Sequence, residues 1–298
     1  MKITITGGLG NISQKLAQQL IAKEHQVTVV SHSPERIQAI EALGAIPAIG
    51  SITDYDFLLR AFSNADAAYT MIPPDYTATD LRAHMRSVGE GYAKAAAQAG
   101  VKHIVNLSSI GAHMPDGPGP TGANHYVEQQ FNALENVHVL HLRPGMFYTN
   151  FFGAMEMIRH QHIIGNNFDD SVPVVLTHPE DIATAAAEAL HTLSFIGKNV
   201  QYIASDEKNG KEIAAALGNA ASQPDLPWIA FSDEALLQGM LQNGLSEQMA
   251  TIYVVEIGIA LRNGKLFEDY RQLHSPVSGK IKLADFAQEF KAVYQHHS

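Results

Sequence analysis

Residues 1–13 read Met-Lys-Ile-Thr-Ile-Thr-Gly-Gly-Leu-Gly-Asn-Ile-Ser. An alternating β-branched strand runs into Gly7, Gly8 and Gly10, then into a helix over Gln14–Lys23 with Leu16, Ala17, Leu20 and Ile21 on one stripe. A turn without side chains lets a pyrophosphate approach the backbone, and the amides at a helix N-terminus supply donors and the positive end of a dipole. Dinucleotide binding is therefore the first expectation, with Thr6, Gly7, Leu9, Gly10, Asn11 and Ile12 on the pyrophosphate side. The spacing Gly7-x-x-Gly10-x-x-Ser13 departs from G-x-G-x-x-G, and a glycine-rich turn can serve structure alone. The strand before it and the helix after it carry the reading. Ser13 is small enough to let the helix pack on the strand.

Strand and helix alternate through the first half. Strands are expected at Lys2–Thr6, Gln26–Ser31, Ile46–Ile49, Ala67–Met71, His103–Leu107 and His138–Leu142. Helices are expected at Pro34–Leu43, Tyr55–Phe62 and about Thr79–Ala99. This rhythm predicts right-handed βαβ units and an α/β fold of the Rossmann type, a doubly wound parallel sheet. Ligands of such sheets lie beyond the carboxyl ends of the strands, so the loops there should line one groove.

Past Asn150 the pattern changes. Phe151–Ile158 reads as helix, 166–175 as loop or short strand, Pro179–Leu193 as helix and Val200–Ala204 as strand. Helices follow at about Lys211–Leu217, Asp233–Asn243 and Ser246–Leu261. The division expected is a dinucleotide-binding domain over 1–150, to which 176–205 returns, and a smaller, mostly helical substrate-binding lobe over 151–298.

Composition excludes several functions. A net charge of −10 without a Lys/Arg cluster argues against nucleic acid and anionic membrane as partners. No cysteine is present, which removes disulfides, thiolate catalysis and cysteine-bound metals. The chain opens directly on a core strand and holds no apolar stretch of about 20 residues, so a cytoplasmic protein is expected. Fifteen histidines, among them His160, His162, His296 and His297, raise a metal reading. Without carboxylate partners at helical spacing they predict no metal site.

Which dinucleotide is bound depends on the end of the second strand, where an NAD site carries an acidic residue for the ribose. Here Ser31-His32-Ser33-Pro34-Glu35-Arg36 offers hydroxyl, imidazole and guanidinium, with Glu35 one residue into the next helix. NADP(H) is favoured, with Ser31, His32, Ser33 and Arg36 as 2′-phosphate ligands and NAD(H) as the other candidate. The plainer reading makes Ser33 a helix cap and Arg36 a solvated first-turn residue.

Several segments together resemble the NmrA-like family of atypical short-chain dehydrogenases/reductases, which includes quinone reductases, triphenylmethane reductase and NADP-sensing regulators. Thr6–Asn11 resembles the TGATG turn, and His32–Arg36 resembles R-N-P-E-K with His for Arg. Gly50-Ser51-Ile52-Thr53-Asp54 stands where the family has G-D-x-x-D. Gly100–Ser109 is similar to its fifth strand, and Leu142-Arg143-Pro144-Gly145-Met146-Phe147-Tyr148-Thr149-Asn150 to L-R-P-G-x-F-x-x-N. The resemblance implies that Gly50, Ser51 and Ile52 face the adenine. It also implies that Met71, Ile72, Pro73, Ser108, Pro144, Met146, Phe147 and Tyr148 face the nicotinamide half.

Conventional members of the superfamily use Tyr-x-x-x-Lys, whose ammonium lowers the phenol pKa. Tyr126-Val127-Glu128-Gln129-Gln130 is the nearest candidate here, and a neutral glutamine cannot do the lysine's work. Tyr126 therefore reads as a packing residue. His125, which resembles a histidine that family reductases carry at the start of this helix, is the candidate proton donor beside Tyr148; the alternative is that it only anchors a loop.

The expected function is an NADPH-dependent oxidoreductase. It would pass hydride to a quinone or similar small electron-poor acceptor held against Phe147, Tyr148, Phe151, Phe152 and Met155, because the cofactor supplies the chemistry and the site orients the acceptor. The other reading is a non-catalytic NADP(H)-sensing regulator that acts through protein contacts. A homodimer is allowed for.

Overall fold

Strand β1 (Lys2–Ile5) is buried on both faces past Lys2, with Ile3 and Ile5 on one and Thr4, which donates to the Ala61 carbonyl, on the other, because it lies inside a parallel sheet covered by helices. It pairs with β2 (Gln26–Ser31) on one side and β4 (Ala67–Thr70) on the other, Ile3 standing opposite Val27 and Ala67. Strands β3 (Ile46–Ile49), β5 (His103–Leu107), β6 (His138–Pro144) and β10 (Lys198–Ile203) complete seven strands in the order β10-β6-β5-β4-β1-β2-β3. The pairings from β3 through β6 are parallel. Chain order reverses between β1 and β4, which opens a crevice at the carboxyl ends of those strands. The fold is the Rossmann-type α/β sheet expected. The computed structural model describes residues 1–75 and 77–296; His297 lies outside them.

Helices α1 (Ser13–Ala22), α2 (Ile37–Ala42), α3 (Tyr55–Phe62), α4 (Leu81–Gln98) and α5 (Thr121–Asn132) connect the strands. The helix expected from Pro34 opens instead as a 3-10 turn over Pro34–Arg36. Leu58 and Phe62 of α3, Tyr92 of α4 and Phe131 of α5 are sealed against Ile104 and Val139 of the sheet. Each such side chain contributes about 1.5–3 kcal/mol by leaving water.

The chain divides into two compact units. The first holds 1–115, 121–143 and 182–201, and the second holds 116–120, 144–181 and 202–298. In the second unit β7 (Met146–Phe147) pairs in parallel with β9 (Pro173–Thr177), which pairs antiparallel with β11 (Asp206–Asn209). A two-stranded ribbon joins β8 (Ile164–Asn166) to β12 (Trp228–Ala230). Around these lie α6 (Met155–Gln161), α8 (Gly210–Ala220), α9 (Asp233–Gln242), α10 (Glu247–Ala250), α11 (Glu256–Arg262), α12 (Glu268–Gln272) and α13 (Leu283–His296). Helix α7 (Pro179–Thr192) continues from the second unit into the first.

Two elements of the second unit differ from expectation, and a third, 166–175, is the loop with short strands expected. The helix expected at Phe151–Ile158 is a 3-10 segment over Tyr148–Ala154 that turns into α6 at Met155. The helix expected over Ser246–Leu261 is interrupted by a π turn at Thr251–Val255, where four of five residues are β-branched. Residues 166–175 hold the end of β8 and the start of β9.

Candidate functional site

The β1–α1 turn is pinned from below by one hydroxyl. Thr6 is fully buried; its Oγ1 accepts from the Met71 amide at 2.8 Å and donates to the Met71 carbonyl at 3.0 Å, tying the end of β1 to the end of β4. Gly7 follows at φ +94°, in the region that favours glycine, and a Cβ there would lie 2.5 Å from Ser13 Oγ and 2.7 Å from Met71 Sδ. Ser13 Oγ donates to the Thr6 carbonyl at 2.8 Å, so the serine closes the helix onto the strand. The Gly8 amide donates to Val30 O at 2.9 Å and the Gly10 amide to Gly7 O at 3.2 Å. The first helical bond runs from Gln14 N to Gly10 O, so the amides of Asn11 and Ile12 precede the helical ladder. A Cβ at Gly10 would meet only Gly7 O, at 3.2 Å. That open cradle, with Leu9 beside it, fits a pyrophosphate.

At the end of β2, Ser31 is buried while His32 and Arg36 are exposed. The Ser33 amide donates to Ser31 Oγ at 3.3 Å, and the Ser33 side chain makes no helix-capping bond. Gly50 N donates to Ser31 O at 2.9 Å, which joins the β3 loop to this corner. There Ser51 and Thr53 share a 2.7 Å hydroxyl bond, and Asp54 caps α3 through the Phe57 amide. Ile52, Ile72 and Pro73 are half-buried. The carboxyl ends of β1 to β5 thus bring the candidates from Thr6 to Ser108 to one edge of the first unit.

Sequence reasoning missed the strongest polar feature at this edge. Ser108, just past β5, donates from Oγ to Glu128 Oε1 at 2.5 Å. Glu128, on α5, accepts from Arg143 Nε at 2.9 Å and Nη2 at 2.6 Å, a bidentate pair with the residue near the end of β6. Glu128 is 1 % exposed, and Ser108 and Arg143 are 7 % exposed. A carboxylate on the stripe of α5 that also carries Val127 and Phe131, together with the Arg of L-R-P-G, is the signal that could have found them.

Below this lies a chain of neutral polar groups. Thr70 donates to Asn106 Oδ1 at 3.0 Å, Asn106 donates to His141 Nδ1 at 3.1 Å, and His141 Nε2 donates to Asn132 Oδ1 at 3.1 Å. Burial, opposed by Glu128, pushes the His141 pKa down to about 4.

His125 lies in the second turn of α5, half-buried, with Nδ1 donating to the Ala112 carbonyl at 2.9 Å. A carbonyl only accepts, so the neutral ring carries its proton on Nδ1 and offers Nε2 as an acceptor. Tyr126 donates to Glu90, with the Arg86 guanidinium 5.5 Å from its ring centre. The Glu90 bond, with some burial, holds the phenol proton on and raises its pKa.

Pro144, Met146, Phe147 and Tyr148 belong to the second unit. Tyr148 is fully buried, stacked on Phe286 at 5.1 Å, and its hydroxyl has no hydrogen-bond partner. Burial, with Asp206, Asp181 and Asp285 nearby, drives its pKa up. Phe151 and Phe152 also pack on Phe286, and Met155 is buried. Among the described residues no group of three or more His, Asp or Glu could hold a metal ion, and no helix is long and apolar enough to cross a membrane.

Residues 7–148 match the model of a family described as NAD(P)H-binding. The chain is 26% identical over 222 residues, 74% of each protein, to a (4-alkanoyl-5-oxo-2,5-dihydrofuran-3-yl)methyl phosphate reductase of Streptomyces griseus. The structure is similar to the Escherichia coli NADPH-dependent quinone oxidoreductase QOR2 complexed with NADPH, at TM-score 0.81 and 19% identity, over 96% of this chain and 99% of that one. It is also similar to the Citrobacter triphenylmethane reductase complexed with NADP(H), at TM-score 0.79 and 20% identity, over 96% and 99%. These likenesses agree with the resemblance to NmrA-like atypical reductases drawn from the sequence. The matched segment includes the glycine turn from Gly7, Glu128 and Arg143.

Proposed function

We propose that the protein is an NADPH-dependent oxidoreductase that reduces a quinone or similar small electron-poor acceptor in the cytoplasm. The observation that carries this is the glycine turn, whose open cradle at Gly10 lies within the segment of the NAD(P)H-binding family. The named reductases among its relatives and structural neighbours support an enzyme over a sensor.

In this reading the amides around Leu9, Asn11 and Ile12 hold the pyrophosphate. Arg36, His32, Ser33 and Ser31 take the 2′-phosphate, and Gly50, Ser51 and Ile52 border the adenine. Met71, Ile72, Pro73 and Ser108 border the nicotinamide riboside. The bound cofactor supplies hydride, two electrons and one proton, from C4 of its reduced ring, and the acceptor is left as an anion. His125 in its imidazolium form, which alone can donate from Nε2, returns one proton to that anion and recovers it from water. Tyr148, the other donor expected from the sequence, is fully buried against Phe286, which leaves its hydroxyl out of an acceptor's reach. Phe147 and Phe152 are the half-buried apolar groups that would orient an aromatic acceptor.

The test is NADPH absorbance followed with a panel of quinones, beside calorimetric titration of NADPH, NADH and NADP+. A Cβ in Gly10→Asp meets Gly7 O at 3.2 Å, which the turn accommodates by shifting a few tenths of an ångström, and its carboxylate would repel the pyrophosphate and abolish binding while far-UV circular dichroism stays that of the wild type. Arg36→Ala should weaken NADPH about tenfold and leave NADH unchanged, the loss of one charged hydrogen bond. Tight NADPH binding without turnover of any acceptor would replace the enzyme reading with a sensor.

A further inference from the structure

We propose that Glu128 and Arg143 are positioning residues that fix the polarity of Ser108, so that its hydroxyl meets the bound cofactor only as an acceptor and selects the carboxamide N–H donor of the nicotinamide. This inference rests on the reductase reading above.

A serine hydroxyl has one proton and two lone pairs, and ordinarily turns to suit whatever it meets. At Ser108 that freedom is gone. Its proton points to Glu128 Oε1 at 2.5 Å, a short bond to a charged acceptor. Glu128 is itself clamped on both oxygens by Arg143, at 2.9 and 2.6 Å. A carboxylate held by a guanidinium accepts and does not donate, so the bond cannot be reversed. Only lone pairs of Ser108 remain for a ligand. An oxygen presented this way attracts an N–H and repels a carbonyl oxygen, which would orient the carboxamide with its amine toward Ser108.

A buried ion pair is an expensive way to join a helix to a sheet, since two well-packed apolar residues would serve as well. Its placement matters more than its strength. Ser108 follows β5 and Arg143 lies near the end of β6, at the carboxyl ends where this fold binds its ligand, and Glu128 reaches them from α5.

The experiment compares dissociation constants of NADPH and its 3-acetylpyridine analogue, in which a methyl group replaces the carboxamide amine, on the full chain. The preference of the wild type for NADPH should fall about five- to tenfold in Ser108→Ala, the worth of one hydrogen bond. Ser108→Thr, which keeps the hydroxyl, should restore it. In the double variant Glu128→Gln, Arg143→Gln the hydroxyl can turn, and the preference should fall as in Ser108→Ala. Binding of 2′,5′-ADP, which touches only the adenosine half, should be equal in all variants and shows that they are folded. If the double variant does not fold, the two Ser108 variants decide. An unchanged preference in Ser108→Ala overturns the inference while leaving the reductase intact. A wild type that binds neither nucleotide overturns the reductase reading, and this inference with it.

Discussion

The hydroxyl of Thr6 and the missing side chain of Gly7 act together: one ties β1 to the Met71 backbone, the other lets the chain turn at φ +94° directly above that tie. Gly7→Ala would impose both a disfavoured backbone and a Cβ inside contact distance of Ser13 and Met71. A loss of about 1–3 kcal/mol is expected, read from urea unfolding. An unchanged midpoint would show that Met71 moves aside freely. Thr6, Gly7 and Ser13 were legible because the turn is contiguous in sequence. Glu128 was not, because the window around Tyr126 invites a search for a phenol with an amine three residues on. The carboxylate's partners, Ser108 and Arg143, lie on two other elements, and no local spacing joins them. His125 was legible as a polar group on this helix, but its bond to Ala112 O, which sets the tautomer, is visible only in space.

Between strands, the line Thr70–Asn106–His141–Asn132 crosses β4, β5 and β6 to α5 with every bond directed, and it requires His141 to be neutral. Its folded pKa of about 4 lies below the ordinary value of about 6.5, so the unfolded chain takes up the proton first as pH falls. The stability this group contributes is complete above pH 6.5 and is lost between 6.5 and 4, about 3 kcal/mol in all. Urea midpoints at pH 7 and 4.5 check this. His25 and His103 are shifted in the same direction, so the share of His141 is the part of the slope that His141→Gln removes. A slope identical in that variant would mean that the ring is solvated. Most of the sheet was readable at this scale: β2, β3 and β5 begin and end where the apolar runs do. Helix α13 was overlooked although Leu283, Phe286, Ala287 and Phe290 keep a helical stripe. The π turn was not readable, since a five-residue widening leaves the apolar stripe nearly intact.

Over the whole molecule the two units are interleaved, and the chain passes from one to the other five times. A domain boundary at 150 describes the sequence motifs better than the folded unit. A fragment of residues 1–150 would lack α7 and the edge strand β10. It would also lack Lys198, whose ammonium donates to the carbonyls of Phe131, Leu134 and Val137 at 3.0, 2.9 and 2.7 Å and so closes the end of α5. Such a fragment should give no cooperative thermal transition by circular dichroism, whereas the full chain should. A sharp transition in the fragment would show that β6 is stable as an edge.

The same interleaving shapes how the protein is made. Residues 2–143 leave the ribosome with the β6 edge bare, and its pairing partner emerges only once synthesis reaches Ile203. At translation speeds on the order of 5–20 residues per second, that interval lasts roughly 3–12 s. During it a nascent chain carries an unpaired strand edge, so this is the window in which a holdase chaperone has something to hold.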